Sequence, residues 1–208
     1  MRVGAKGLVT DVTVPERPRG VIIFAHGSGS SRLSPRNRHV AEQLNCAGFA
    51  TILFDLLTEL EAEDRRNVFD IPLLGRRMTE AVTFARKHRE LSRLPVGLFG
   101  ASTGAAAALM AAAELGKDIG AVVSRGGRPD LALNVLDQVT APTLLIVGAN
   151  DEPVIEMNQT AFAALRCAKR LEIIPGATHL FEEPGTLDRV VDLAAKWFGQ
   201  YLGAKEEQ

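Results

Sequence analysis

The sequence predicts a three-layer α/β/α sandwich built on a mainly parallel central sheet. From residue 20 onward, short β-rich apolar runs alternate with longer helix-patterned stretches, the order expected when helices cover both faces of such a sheet. Most of these runs are continuously apolar, as strands buried on both sides require. Punctuation agrees: Pro95 and Pro142 each precede a run, where a missing N–H does little damage and a preceding helix has to stop.

Taken in order, Gly7 to Val14 alternates and ends in the turn-forming Pro15-Glu16-Arg17-Pro18-Arg19-Gly20. It reads as an antiparallel edge strand hairpinned to the first central one. The central strands are expected at Val21–Ala25, Thr51–Phe54, Val96–Phe99, Ala121–Val123, Thr143–Val147 and Leu171–Ile174. Helices are expected at about residues 37–47, 70–91, 103–116, 155–167 and 187–202, with a short one over 130–138. There is no internal repeat or long linker, so residues 1–208 read as one domain with a frayed tail from Gly203.

Bulk properties narrow the function. Hydrophobic residues make up 46% and charged residues 24% of the 208, close to soluble globular averages. A net charge of -1, with basic and acidic residues interleaved, offers no field for a phosphate backbone, so nucleic acid is not an expected partner. No apolar run approaches the ~20 residues of a membrane span, and Met1 to Thr10 lacks the apolar core of a signal peptide. Cys46 and Cys167 lack partners at metal-ligand spacing and read as buried thiols, which fits a reducing cytoplasm.

The strongest local signal is Gly100-Ala101-Ser102-Thr103-Gly104, a G-x-S-x-G directly after an expected strand and directly before an Ala-rich helix. A serine on such a sharp turn is strained, and the glycines let strand and helix approach closely. The helix N-terminus aimed at Ser102 favours developing negative charge. Serine is a poor nucleophile without a base, and His179, on the loop after Leu171–Ile174, is suited to that task. Asp151, after Thr143–Val147, would fix the imidazole tautomer and stabilise the imidazolium. The order Ser, Asp, His is that of a known hydrolase arrangement. Asp151 also fits a helix cap, with Glu152 a weaker competitor for the carboxylate role, while His39 and His88 sit in helical segments.

An acyl-transfer centre also needs donors for its oxyanion. The backbone N–H of Thr103 is the first candidate. The second is expected from His26-Gly27-Ser28-Gly29-Ser30-Ser31, with Ser28 N–H preferred and Gly27 next. The same glycine-rich loop lacks both G-x-G-x-x-G spacing and a P-loop lysine, so it does not read as a nucleotide cradle.

These residues, together with Ser124-Arg125-Gly126-Gly127-Arg128-Pro129-Asp130 and the stretches around Asp151 and His179, resemble the α/β-hydrolase superfamily nearly end to end. Within it the chain is similar to the small, lidless branch related to dienelactone hydrolase. The resemblance implies about seven or eight strands and hydrolysis of a carboxylic ester or related acyl bond, without metal or organic cofactor; with Ser102 as nucleophile, the leading reading is cleavage of a small ester, thioester or lactone through an acyl-serine intermediate. Dienelactone hydrolases proper use a cysteine nucleophile where this chain has Ser102, so dienelactone is not inherited as the substrate. Residues 124–142 are too few for a cap domain, leaving an open site shaped by loops.

Gly27, Arg32 and Arg125 are the candidate substrate contacts. Arg36 and Arg128 join the arginines on the same sheet edge that would attract an anionic group, and Leu33, Leu56, Leu57, Leu180 and Phe181 form a candidate apolar wall. A small-molecule acyl substrate is thus the expected partner. Acyl transfer to another acceptor, peptide hydrolysis, and ligand binding without turnover are the competing readings.

Overall fold

The computed structural model describes residues 1–203, so the expected frayed tail lies, apart from Gly203, outside the described residues. Eight strands form one sheet: β1 (Arg2–Val3), β2 (Leu8–Thr13), β3 (Val21–Ala25), β4 (Ala50–Phe54), β5 (Val96–Ala101), β6 (Ile119–Arg125), β7 (Thr143–Gly148) and β8 (Lys169–Ile174), in the order β1-β2-β4-β3-β5-β6-β7-β8. The six strands from β4 to β8 in that order are mutually parallel, whereas β1 and β2 are antiparallel additions. The edge strand was expected beside β3. It pairs instead with β4, in the register Thr10↔Phe54 to Thr13↔Thr51. Both sides of β3 are occupied, by β4 and β5, so the outer edge of β4 is the ladder left open to β2.

The helices are α1 (Pro35–Cys46), α2 (Glu59–Glu63), α3 (Arg65–Val68), α4 (Ile71–Lys87), α5 (Thr103–Leu115), α6 (Glu152–Ala164) and α7 (Thr186–Leu202), with a 3₁₀ stretch over Pro129–Gln138. Apolar periodicity does not announce α2, which is held by side-chain bonding. Thr58 N–H donates to Glu61 Oε2 at 2.9 Å and Glu61 N–H to Thr58 Oγ1 at 3.2 Å, a capping box. Helix α4 stops at Lys87, short of the expected 91, because His88 turns to an extended conformation. Helix α6 starts and ends three residues before the expected 155–167, with Pro153 in its first turn.

Side chains along each parallel strand alternate between two apolar layers. Ile23, Ile52, Leu98, Val122 and Leu145 pack toward α4 and α5, and Ile22, Leu53, Phe99, Val123 and Ile146 toward α1 and α7. Burial on both faces accounts for the unbroken apolar runs. Cys46 departs from expectation: it is exposed on the last turn of α1, and Cys167 is half-buried with Sγ 3.7 Å from Thr143 Oγ1. Among the described residues no helix is long and apolar enough to cross a membrane.

Candidate active site

The expected functional residues collect at the carboxyl end of the parallel strands, where open α/β sheets bind ligands. Ser102 stands between β5 and α5 with φ 51° and ψ −123°, a backbone conformation that costs a non-glycine residue on the order of 1–3 kcal/mol. Its neighbours leave it no alternative. A Cβ on Gly100 would come within 2.4 Å of Ala105 Cα, and one on Gly104 within 2.3 Å of the Ala25 carbonyl oxygen. The turn is closed by Ser102 N–H donating to Arg125 O at 3.3 Å, and by Ser102 O accepting from Ala105 N–H at 3.1 Å and Arg128 N–H at 3.0 Å. The N–H groups of Ser28 and Thr103 donate to no acceptor among the described residues, so both are free at the start of α5 and on the loop beside it. Gly27 lies against the serine: a Cβ there would sit 2.9 Å from Ser102 Cβ and 3.6 Å from Oγ.

His26 holds that loop in a way its sequence position does not reveal. Leu56 N–H donates to Nε2 at 3.0 Å, and since that amide can only donate, the ring proton sits on Nδ1, 3.0 Å from Gly27 O. Burial pushes the His26 pKa below its ordinary value, against the opposing pull of the Gly27 carbonyl and Asp55. The other end of the loop is fastened by Asp55, which accepts from Arg32 N–H at 2.8 Å and from Arg32 Nη1 at 2.7 Å, while Asp11 lies 3.4 Å from Arg32 Nε.

Asp151 occupies the N-cap position of α6, yet its side chain makes no capping bond. It accepts instead from His179 Nδ1 at 2.7 Å, with the ring 37% and the carboxylate 14% exposed. Glu152 lies exposed in the first turn of α6. Asn150 N–H donates to Ala177 O at 2.9 Å and Asn150 Nδ2 to Gly176 O at 3.1 Å, joining the Asp151 and His179 loops. Beyond the histidine, Thr178 closes the loop by donating N–H and Oγ1 to Glu183 at 3.1 and 2.6 Å, and these bonds, the hydroxyl's first, hold the Glu183 carboxyl below its ordinary pKa. A Cβ on Gly126 would lie 2.9 Å from His179 O, so the loop packs on the residue following Arg125, whose carbonyl accepts from Ser102 N–H. The fold thus brings Ser102, Asp151 and His179 to one place. No hydrogen bond joins Ser102 Oγ to the ring among the described residues; such contacts commonly tighten only with substrate present.

A cavity of about 890 Å³ opens beside Thr103 and the loop from His26 to Ser31. Gly27, Arg32, Leu33, Leu56 and Leu57 line it as expected of substrate contacts. Arg125 does not. It is 6% exposed at the end of β6, donating to Asn37 Oδ1 at 3.2 Å and lying 5.8 Å from the Phe181 ring centre. Burial without a carboxylate partner, with Arg36 nearby, pushes its pKa down to about 10. Phe181, at φ 57°, is buried in the layer of α1 and α7, and Leu180 is exposed but does not line the cavity, so neither forms the expected wall. Arg36 pairs with Glu182 at 3.2 Å and Arg128 with Asp130 at 2.8 Å.

Comparison with known proteins agrees with this fold. The sequence pattern of the dienelactone hydrolase family matches residues 7–200. The crystal structure of a dienelactone hydrolase from Anabaena variabilis superposes with a TM-score of 0.93 at 54% identity, covering 96% of this chain and 94% of that one. Est1E from Butyrivibrio proteoclasticus shares the fold at a TM-score of 0.83 and 18% identity, over 97% of this chain and 98% of that one. Two strains of Mycobacterium tuberculosis carry a protein named as a phosphoribosyl transferase that is 58% identical over 191 residues. That match covers 92% of this chain, which spans only 43% of the length of those relatives.

Proposed function

This chain belongs to the dienelactone hydrolase family, and from that premise we propose that it is a serine hydrolase cleaving a small carboxylic ester, thioester or lactone. The observation that carries the reading is the 2.7 Å bond from His179 Nδ1 to Asp151, a carboxylate that stands at a helix cap and does not cap it. With Nδ1 so engaged, Nε2 is the basic nitrogen and serves Ser102.

The reaction then runs in two halves. Ser102 Oγ attacks the substrate carbonyl as its proton passes to His179 Nε2, and the resulting imidazolium is stabilised by Asp151. The oxyanion is received by the N–H groups of Thr103 and Ser28, each such donor being worth roughly 2.7–4 kcal/mol in a measured case. The carbon–oxygen or carbon–sulfur bond breaks as His179 returns the proton to the departing group. Water, deprotonated by the same ring, attacks the acyl carbon, and the bond to Ser102 Oγ breaks as His179 returns that proton to Oγ. The strained Ser102 backbone presents Oγ above the sheet at the positive end of α5.

Phosphoribosyl transfer, the name borne by the Mycobacterium tuberculosis relatives, belongs to proteins of which this chain spans 43%, and it does not displace the hydrolase reading. A fluorophosphonate tests the proposal. Mass spectrometry is expected to find one adduct per chain, on Ser102, with ester hydrolysis lost in proportion to labelling; full activity in a protein labelled stoichiometrically elsewhere would overturn it.

A further inference from the structure

We infer that the acyl half of the substrate is an extended, uncharged apolar chain; this rests on the serine hydrolase reading. The cavity of about 890 Å³ reaches Thr103, Gly27 and Ser28, the residues that flank Ser102 and supply its oxyanion donors, and His179 does not line it among the described residues. In the tetrahedral intermediate the leaving group must face His179, which protonates it, while the oxygen faces the donors. The remaining substituent, the acyl chain, therefore enters this cavity. Its walls suit such a chain: Leu56 and Leu74 are buried, Leu57, Val68 and Leu8 line the interior, and Leu60 stands 78% exposed at the mouth. Val9 and Leu33, 39% and 49% exposed, add further apolar surface there. Large apolar side chains left in water around one opening mark a binding surface.

Charge points the same way. Arg32 alone of the four sheet-edge arginines lines the cavity, and it is neutralised by Asp55 at 2.7 Å and Asp11 at 3.4 Å. Arg36 and Arg128 are paired with Glu182 and Asp130, and Arg125 is buried under Phe181. Arg2, in β1, and Lys6, in the turn that follows it, line the far end of the cavity, where Arg2 donates to Gly7 O at 2.7 Å and Glu59 brings a carboxylate. Among the described residues, the one arginine held on the loop that carries the oxyanion donors is thus already paired with carboxylates, and the remaining cations of the lining, Arg2 and Lys6, belong to the β1–β2 end of the cavity.

The test is a p-nitrophenyl ester series from acetate through butyrate, hexanoate and octanoate to decanoate, run against a reciprocal series of acetates with lengthening alcohols. We expect kcat/KM to rise about two- to fourfold per methylene along the acyl series, the upper figure corresponding to full burial. Along the alcohol series it should vary less than about tenfold in all. Leu57→Trp, which narrows the cavity, and Leu60→Asp, a surface change at its mouth, should each lower the octanoate-to-acetate ratio at least about tenfold, in line with roughly 1–3 kcal/mol per discriminating contact. Acetate as the best acyl donor, succinate monoesters preferred over hexanoate, or unchanged ratios in Leu60→Asp would overturn the inference while leaving the hydrolase reading intact. A second readout separates the two the other way. Octanoate should raise the Tm of Ser102→Ala protein more than acetate does, and Leu57→Trp should abolish the difference. That result, together with a wild-type protein that hydrolyses no ester, would sink the hydrolase reading and keep the cavity assignment, whereas equal Tm shifts would count against the cavity.

Discussion

The Ser102 turn and the His179 loop meet at one sheet edge, and they are held by different kinds of force. At the turn, sterics over five consecutive residues leave a single conformation: strand, strained serine and helix are locked because Gly100 and Gly104 have no room for a side chain. At the loop, nothing local compels the path. Phe181 takes φ 57° although it is not glycine, and what holds it there is burial against the α1 and α7 layer, with polar ties from Thr178 to Glu183 and from His179 to Asp151. The nucleophile is thus placed by short-range exclusion and the base by long-range contacts. Sterically enforced geometry tolerates almost no substitution, while contact-enforced geometry degrades in steps.

The largest effect should separate chemistry from architecture. Asp151→Asn removes the charge but keeps the shape, and is expected to lower kcat by about 10⁴-fold, the loss known for a comparable aspartate. Because Asp151 caps nothing, its Tm should stay close to that of the wild type. Unchanged turnover in a folded Asp151→Asn protein would remove the carboxylate from the mechanism. Next, Phe181→Ala takes away the anchor of the base loop and should cost about 3–5 kcal/mol of stability in urea titrations. It should also depress kcat more than KM, since Phe181 is not among the residues that line the cavity. A drop in stability with kcat untouched would mean that the loop keeps its path without the ring.

On the side of the nucleophile, Gly100→Ala adds one methyl where 2.4 Å of clearance exists, and should cost about 3 kcal/mol, the upper range for overpacking. Its effect should be indivisible, with activity lost in step with folding, in contrast to Phe181→Ala. A fully stable Gly100→Ala enzyme would show that the turn is looser than its geometry implies.

The smallest effect is titration of His26. Its folded pKa lies below the ordinary 6.5, chiefly because the ring is buried, so the unfolded chain binds the proton more readily. Stability from this group is therefore present above about pH 6.5 and is lost as pH falls below it, by at most about 1.4 kcal/mol per unit, until the folded pKa is passed. His26→Asn should flatten that part of the curve of unfolding free energy against pH. An identical slope in the variant would assign the acid sensitivity to other groups.

Much of this was legible in the amino-acid sequence, for a physical reason that also sets its limit. Strands buried on both faces have to be continuously apolar, so β3 to β7 could be read off, and a G-x-S-x-G can be short and diagnostic because its constraints act over five residues. Asp151 and His179 were legible as candidates by their positions after β7 and β8, since strand order alone brings those loops to the Ser102 edge. Pairing partners were not: β2 lies beside β4 because both sides of β3 are taken, a matter of which edges remain once the whole sheet exists. The arginines show the same limit. Arg32, Arg36, Arg125 and Arg128 look alike in sequence, and only contacts across 2 to 146 positions decide that three are paired and one is buried. His26 likewise gains its role from a single amide thirty residues away, that of Leu56. Local sterics and periodicity are written in neighbouring residues; the fate of a charge depends on which distant partner the folded chain brings within about 3 Å of it.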